Sequence, residues 1–284
     1  MAFHSVQGLL EGAKDKPLWQ IILEDDCCDR GAKEEDSMAH MTALWTAMGE
    51  TDRSYDPAKR ATGGMVGGGA HRMAELQRPL CGDFMREVMA AALRTSECNA
   101  CMGRIVAAPT AGASGVLPAV LLSLQRREGF SDQEMVHALF VAAAFGQVIA
   151  FRASISGAEG GCQAEVGSAS GMAAAALVFL RGGTGEQMAA ACATALQNLM
   201  GLVCDPVAGL VEVPCVGRNV IGALNALSAA DLALCGAASP IPCDEVIDAM
   251  RAVGEALPTS LRETGKGGVA ATPTGKRITE EFFR

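Results

Sequence analysis

Aromatic residues make up only 4% of this chain, with one tyrosine and two tryptophans, so its core must be built from small and aliphatic side chains. Histidine is almost as scarce, at four residues, which leaves little material for a histidine-rich metal centre. Basic blocks are missing: 23 Lys and Arg against 32 Asp and Glu give a formal charge of −9. That balance offers no electrostatic footprint to nucleic acid or to an anionic membrane surface. No Gly-x-x-x-x-Gly-Lys-Ser/Thr segment occurs, and the glycines near residue 63 follow no strand pattern, so nucleotide phosphates are disfavoured. The amino end scatters His4, Glu11, Lys14, Asp15 and Lys16 among its apolar residues and so lacks the apolar core of a signal peptide. A cytoplasmic location is expected. The longest apolar run, Met135 to Phe151, is interrupted by His137 and Gln147 and reads as a buried helix rather than a membrane span.

Alternating strand patterns and internal repeats are also absent, whereas helical signals recur. Met38, Met41, Leu44, Trp45 and Met48 mark one buried face of a helix from Lys33 that Gly49 is expected to end. Ser131-Asp-Gln-Glu134 and Thr184-Gly-Glu-Gln187 are capping boxes, the second opening a helix that should stop by Gly201. Further helices are expected over 83–96, 116–127, 168–180, 220–234 and 244–256. The fold class is therefore all-α, a single compact helical domain. Residues 1–55 read as a helical lead-in and 56–284 as the main helical domain, with the polar stretch Gly49 to Lys59 between them.

Four connections are dense in glycine, proline and small hydroxyl residues: 61–69, 107–115, 157–167 and 263–275. Such loops let backbone approach a small molecule closely. Eleven cysteines, an odd number in an expected reducing compartment, must be packing residues or metal ligands. Cys192 and Cys235 fall in alanine-rich helices and read as small hydrophobes. Cys98 and Cys101 form a single Cys-x-x-Cys without a second pair, and read as structural. Cys162, Cys204 and Cys215 differ, since each sits in a loop beside glycine or proline. Their spacing alone matches no general metal pattern.

The segments Gly161-Cys-Gln-Ala-Glu-Val-Gly167, Cys204-Asp-Pro-Val-Ala-Gly-Leu-Val-Glu-Val-Pro-Cys215, Ala108-Pro-Thr-Ala-Gly-Ala-Ser-Gly115 and Arg262-Glu-Thr-Gly-Lys-Gly-Gly268 closely resemble the α-chain of iron–sulfur-dependent L-serine dehydratases. The intervals of 42 and 11 residues between the three cysteines fit that family as well. The resemblance implies a [4Fe–4S] cluster held by Cys162, Cys204 and Cys215, with one iron left open as a Lewis acid toward the substrate's β-hydroxyl. The glycine-rich loops would form the cluster and substrate site, with Thr62, Gly63, Gly64, Gly67, Gly68, Thr110 and Gly112 binding the substrate through backbone N–H groups and hydroxyls. Arg218 and Lys266 could add charge, but each reads first as a solvated loop cation.

The chain departs from the family at Val66-Gly-Gly-Gly69, where Thr-Gly-Gly-Asp is usual, at Ala111, where many relatives carry Asn, and at Lys266. No motif supplies a general base, and His71 reads as a helix-start or surface residue. The Gly-Pro-Ser-Ser-Ser-His-Thr segment of single-chain relatives is not found here, so a separate β-chain is expected to carry it; association of further copies stays open. The competing functions are a cysteine desulfidase-like lyase, a dehydratase for a related β-hydroxy amino acid, an electron-transfer protein with Cys192, Cys235 or Cys243 as fourth ligand, and a helical subunit whose cysteines only pack.

Overall fold

Alanine and glycine decide how the helices of this chain meet, because small side chains let helix axes approach closely. The computed structural model describes residues 3–284 and, among them, contains helices and no strands. In chain order the α-helices are α1 Val6–Gly12, α2 Leu18–Arg30, α3 Glu34–Arg53, α4 Gly69–Ala74, α5 Gly82–Ala100, α6 Val116–Glu128 and α7 Asp132–Arg152. After these come α8 Gly157–Gly160, α9 Ser168–Leu180, α10 Gly185–Asn198, α11 Cys215–Leu234, α12 Cys243–Ala256 and α13 Pro273–Phe282. The all-α single domain read from the sequence is the observed architecture.

At the centre lies α9, buried along nearly its whole length and packed against α6, α7, α10 and α11. Its run Ala173-Ala-Ala-Ala176 has no exposed surface, as an interior helix with neighbours on every side requires. Both expected capping boxes form, at Ser131 for α7 and Thr184 for α10. Helices α7 and the segment Gln163–Leu180 are long and apolar enough to cross a membrane by length and composition, and both are mostly buried in the core. The leading helices join this core: Ile22, Leu23, Trp45 and Met48 all belong to it, and α2 and α3 pack on α7.

Two expectations are corrected, one for a helix end and one for a thiol. Gly49 does not end α3, which continues to Arg53 because Ala47, Met48, Gly49, Thr51 and Asp52 are all buried against neighbouring helices. Tertiary burial outweighs the modest cost of a helical glycine, about 1 kcal/mol. Cys235 is the exposed cap of α11 rather than a core thiol, its Sγ meeting the Leu232 carbonyl at 3.4 Å.

Helix α11 shows how packing overrides propensity. A methyl on Gly222 would stand 2.7 Å from Val166 Cγ1 and 2.9 Å from Val116 Cγ2, whereas one on exposed Gly217 would meet nothing within 4 Å. We expect Gly217→Ala to stabilise by up to about 1 kcal/mol. Gly222→Ala should instead destabilise by about 1–3 kcal/mol through overpacking. Urea denaturation of the two variants reads the opposite signs directly; equal shifts would show that the packing of α11 on Val116 and Val166 yields freely.

Candidate active site

The loops between these helices converge where three of the free cysteines lie. Cys162 follows Gly161, whose φ of +76° and close approach to the Leu202 carbonyl exclude a side chain, and it opens a π-helical turn, Gln163–Gly167, that leads into α9. Wider turns of this kind re-aim side chains and concentrate at functional sites. Buried Gln163 anchors the turn by donating from Nε2 to the Met250 carbonyl at 3.0 Å and accepting the Gly201 N–H at 2.8 Å. Cys204 sits in an isolated bridge with Arg262: its N–H donates to the Leu261 carbonyl at 2.9 Å, and its carbonyl accepts the Glu263 N–H at 2.8 Å. Cys215 is the first residue of α11, after the cis Val213–Pro214 bond, where the positive end of the helix favours a thiolate.

Cys162 and Cys204 are only 3% and 4% exposed, and Cys215 is half-buried. Burial pushes the Cys162 thiol up to about 11, opposed by the Arg218 guanidinium. Burial, Cys162 and Glu165 hold Cys215 at about 12. Cys204 is raised well above the ordinary thiol range by burial, Glu165 and Cys162. The three sulfurs thus lie within one another's field. Among the described residues, no three His, Cys, Asp or Glu side chains gather tightly enough to hold a single metal ion. The three thiols are soft donors that would fit an iron–sulfur group, and such a group would favour their deprotonation despite burial.

Charged residues brace the thiols. Arg218 is a correction to the sequence reading: it is a largely buried residue of α11, not a solvated cation. Its Nη2 donates to Asp205 Oδ1 at 2.8 Å and its Nη1 to the Val203 carbonyl at 2.7 Å. Burial disfavours its charge, but Cys162 and Asp205 hold it protonated. Asp205, 2% exposed, also accepts the Val269 N–H at 2.7 Å, which fixes the 263–275 loop to the Cys204 segment. Lys266 is exposed, as expected.

The substrate residues read from the sequence divide into two groups. Thr110 and Gly112 stand beside the thiols: Thr110 Oγ1 donates to Glu165 Oε1 at 2.7 Å, and a methyl on Gly112 would lie 3.0 Å from the same oxygen. Asn219 ties this loop to the third cysteine, accepting the Gly115 N–H at 2.8 Å and donating to the carbonyls of Gly112 at 2.8 Å and Cys215 at 3.0 Å. Thr62, Gly63 and Gly64 instead line an open cleft with Met65 and with Ile278, Glu281 and Phe282 of α13.

The Gly63 and Met65 N–H groups are taken up by buried Glu212, at 2.7 and 3.0 Å, and the Gly64 N–H by the Ala61 carbonyl. The N–H groups expected to meet the substrate are thus engaged within the chain at Gly63 and Gly64. Gly67 and Gly68, with φ of +133° and +73°, press on the Lys59 and Pro57 carbonyls and turn the chain into α4, whose first N–H groups are received by Glu97. His71 is exposed on α4 beside Glu75, consistent with its reading as a surface residue at a helix start.

Sequence reasoning missed Glu165, Asp205, Glu212 and Asn219. The one available signal was chemical: each is a polar residue within an otherwise apolar, glycine-rich stretch. Of the remaining cysteines, Cys192 and Cys243 face each other across α10 and α12, and their contact raises the Cys243 thiol. Cys98 and Cys101 border a small void with Tyr55, Lys59 and Glu97.

Fold and loops together define an all-helical protein whose site is built from buried thiols and braced carboxylates. The chain belongs to the serine dehydratase alpha chain family, whose model matches residues 13–270. It is 47% identical over 289 residues to the probable L-serine dehydratase alpha chain of Bacillus subtilis, covering 99% of this chain and 95% of that one. It is 42% identical over 271 residues to the L-serine dehydratase alpha chain of Peptoniphilus asaccharolyticus, with 94% and 93% covered. L-serine dehydratase 2 of Escherichia coli is 46% identical over 182 residues, which are 63% of this chain and 40% of that protein.

Proposed function

We propose that this chain is the α-chain of an iron–sulfur L-serine dehydratase, converting L-serine to pyruvate and ammonia, with Cys162, Cys204 and Cys215 holding a [4Fe–4S] cluster. The observation that carries the reading is the convergence of these three thiols on Thr110 and Glu165. Family membership and relatives named L-serine dehydratase alpha chain support it. When bound, such a cluster supplies Lewis acidity for departure of the β-hydroxyl.

The chain's own side chains prepare that chemistry. Arg218 lies against Cys162 and favours its ionised form, while Asp205 keeps the guanidinium in place. Thr110 fixes the rotamer of Glu165, and Asn219 holds the Thr110 loop to the start of α11. Glu212 spans the Cys204–Cys215 excursion and the 61–65 turn, so both move as one piece. A separate β-chain, which the designation of the relatives as alpha chains favours, supplies the general base. An acidic chain with eleven free thiols suits a reducing compartment, and we place it in the cytoplasm.

Two measurements test the reading. The chain, co-expressed with its β-chain and purified anaerobically, is expected to carry about four irons, to change spectrum with L-serine and to release pyruvate and ammonia. Iron-free protein, or sulfide release from cysteine with no serine turnover, would reject the assignment. Thr110→Val, which removes the hydrogen bond to Glu165, should raise KM for serine by about 10-fold through loss of a charge-assisted bond. Unchanged kinetics would remove Thr110 from the site.

A further inference from the structure

Five carboxylates lie in or beside the site: Glu263 is exposed on its loop, and of the four that are buried or half-buried, three have their oxygens occupied by fixed donors. Asp205 is held by Arg218 and the Val269 N–H, Glu212 by the Gly63 and Met65 N–H groups, and Glu97 by the Gly69 and Ala70 N–H groups and the Tyr55 hydroxyl. Glu165 differs. Its Oε1 accepts the Thr110 hydroxyl at 2.7 Å, but its Oε2 has neither a donor nor a cation among the described residues.

Glycine at position 157 lets that oxygen and a thiol come together. A methyl on Gly157 would stand 2.7 Å from Glu165 Oε2 and 3.0 Å from Cys204 Sγ, closer than contact allows, so carboxylate and thiol both pack on the bare Gly157 backbone. The nearest buried cation, Arg218, is consumed by Asp205 and the Val203 carbonyl. A half-buried anion with one bonded and one free oxygen is a receptor for a small cation carrying several N–H donors.

Building on the serine reading, we propose that Glu165 receives the α-ammonium group of the substrate and thereby selects 2-amino acids over acids that lack the amine. An amino-acid zwitterion brings a cationic group into a site whose buried guanidinium, Arg218, is already paired with Asp205. Without a counter-charge its ammonium would be desolvated at a cost of several kcal/mol. The shared hydrogen bond with Thr110 orients the carboxylate, so Thr110 is a positioning residue for Glu165.

The test compares two ligands with the same carboxylate and β-hydroxyl: L-serine, and 3-hydroxypropanoate, which has no ammonium group. Their binding to the anaerobic complex of this chain with its β-chain is measured by calorimetry, with iron content and helical circular dichroism as controls. Glu165→Gln should weaken L-serine about 10- to 100-fold, the span of a charge-assisted hydrogen bond, and leave 3-hydroxypropanoate unchanged. Glu165→Asp keeps the charge and should keep the preference for serine. Gly157→Ala, whose methyl would displace Oε2, should shift selectivity in the same direction as Glu165→Gln and decides the matter if that variant loses iron.

Equal weakening of both ligands, or wild-type selectivity in Glu165→Gln, would overturn the assignment alone. So would lost turnover with intact serine affinity, which would make Glu165 a proton-transfer group. Failure of the wild-type complex to bind serine at all would overturn the serine reading and this assignment together.

Discussion

Serine in place of Cys162, Cys204 or Cys215 is expected to abolish iron binding and with it turnover, a loss on the order of 10³-fold or more. The three positions should behave alike, although they lie in three different local structures: a π-turn, an isolated bridge and a helix start. A hydroxyl is a poor substitute for a soft thiolate toward iron. The effect should be specific to these three, because Cys235 caps α11 at the surface and Cys235→Ser should keep full iron. Anaerobic iron and sulfide analysis decides the point. Full iron and turnover in Cys204→Ser would show that the convergence of the thiols is only packing.

The second large effect falls on stability. Arg218→Met retains much of the side-chain volume but leaves Asp205, 2% exposed, as a buried carboxylate with one N–H donor and no cation. Breaking a buried pair from one side costs about 3–5 kcal/mol, because the remaining charge keeps its desolvation penalty. For a chain of this size that is a fall in Tm on the order of 10 °C. Arg218→Lys should recover only part of it, since an ammonium cannot span Asp205 and the Val203 carbonyl as the guanidinium fork does. Thermal unfolding of metal-free protein isolates this effect from cofactor loss. A double variant, Arg218→Met with Asp205→Asn, should lose less than Arg218→Met alone.

Both predictions turn on the three thiols and the charged residues that brace them, and the two kinds of residue were unequally legible. The cysteines stood out because thiols beside glycine and proline are rare among packing residues, and because their intervals matched a known family. Arg218 did not. In the sequence it follows Gly217 and reads as an exposed loop cation, whereas α11 begins earlier than the apolar pattern suggested and carries it inward to Asp205.

The helices divide in the same way. Capping boxes at Ser131 and Thr184 could be read from four consecutive residues, because the hydrogen bonds that make them are local. The end of α3 could not, because Gly49 is kept helical by contacts from elsewhere in the chain.

By itself, then, the sequence determined the helical class, the run of α9 over Ser168–Leu180, the four glycine-rich connections and the identity of three unusual cysteines. Each of these depends on periodicity, capping or residue chemistry within a few positions. Only the tertiary structure decided which polar groups satisfy one another across the site. Glu212 is 149 residues from Gly63, Asn219 is 104 from Gly115, and Glu165 is 55 from Thr110. A buried carboxylate must find its donors wherever the packed helices place them, so the half-buried Glu165 with its free oxygen could be recognised only after its buried neighbours had been paired.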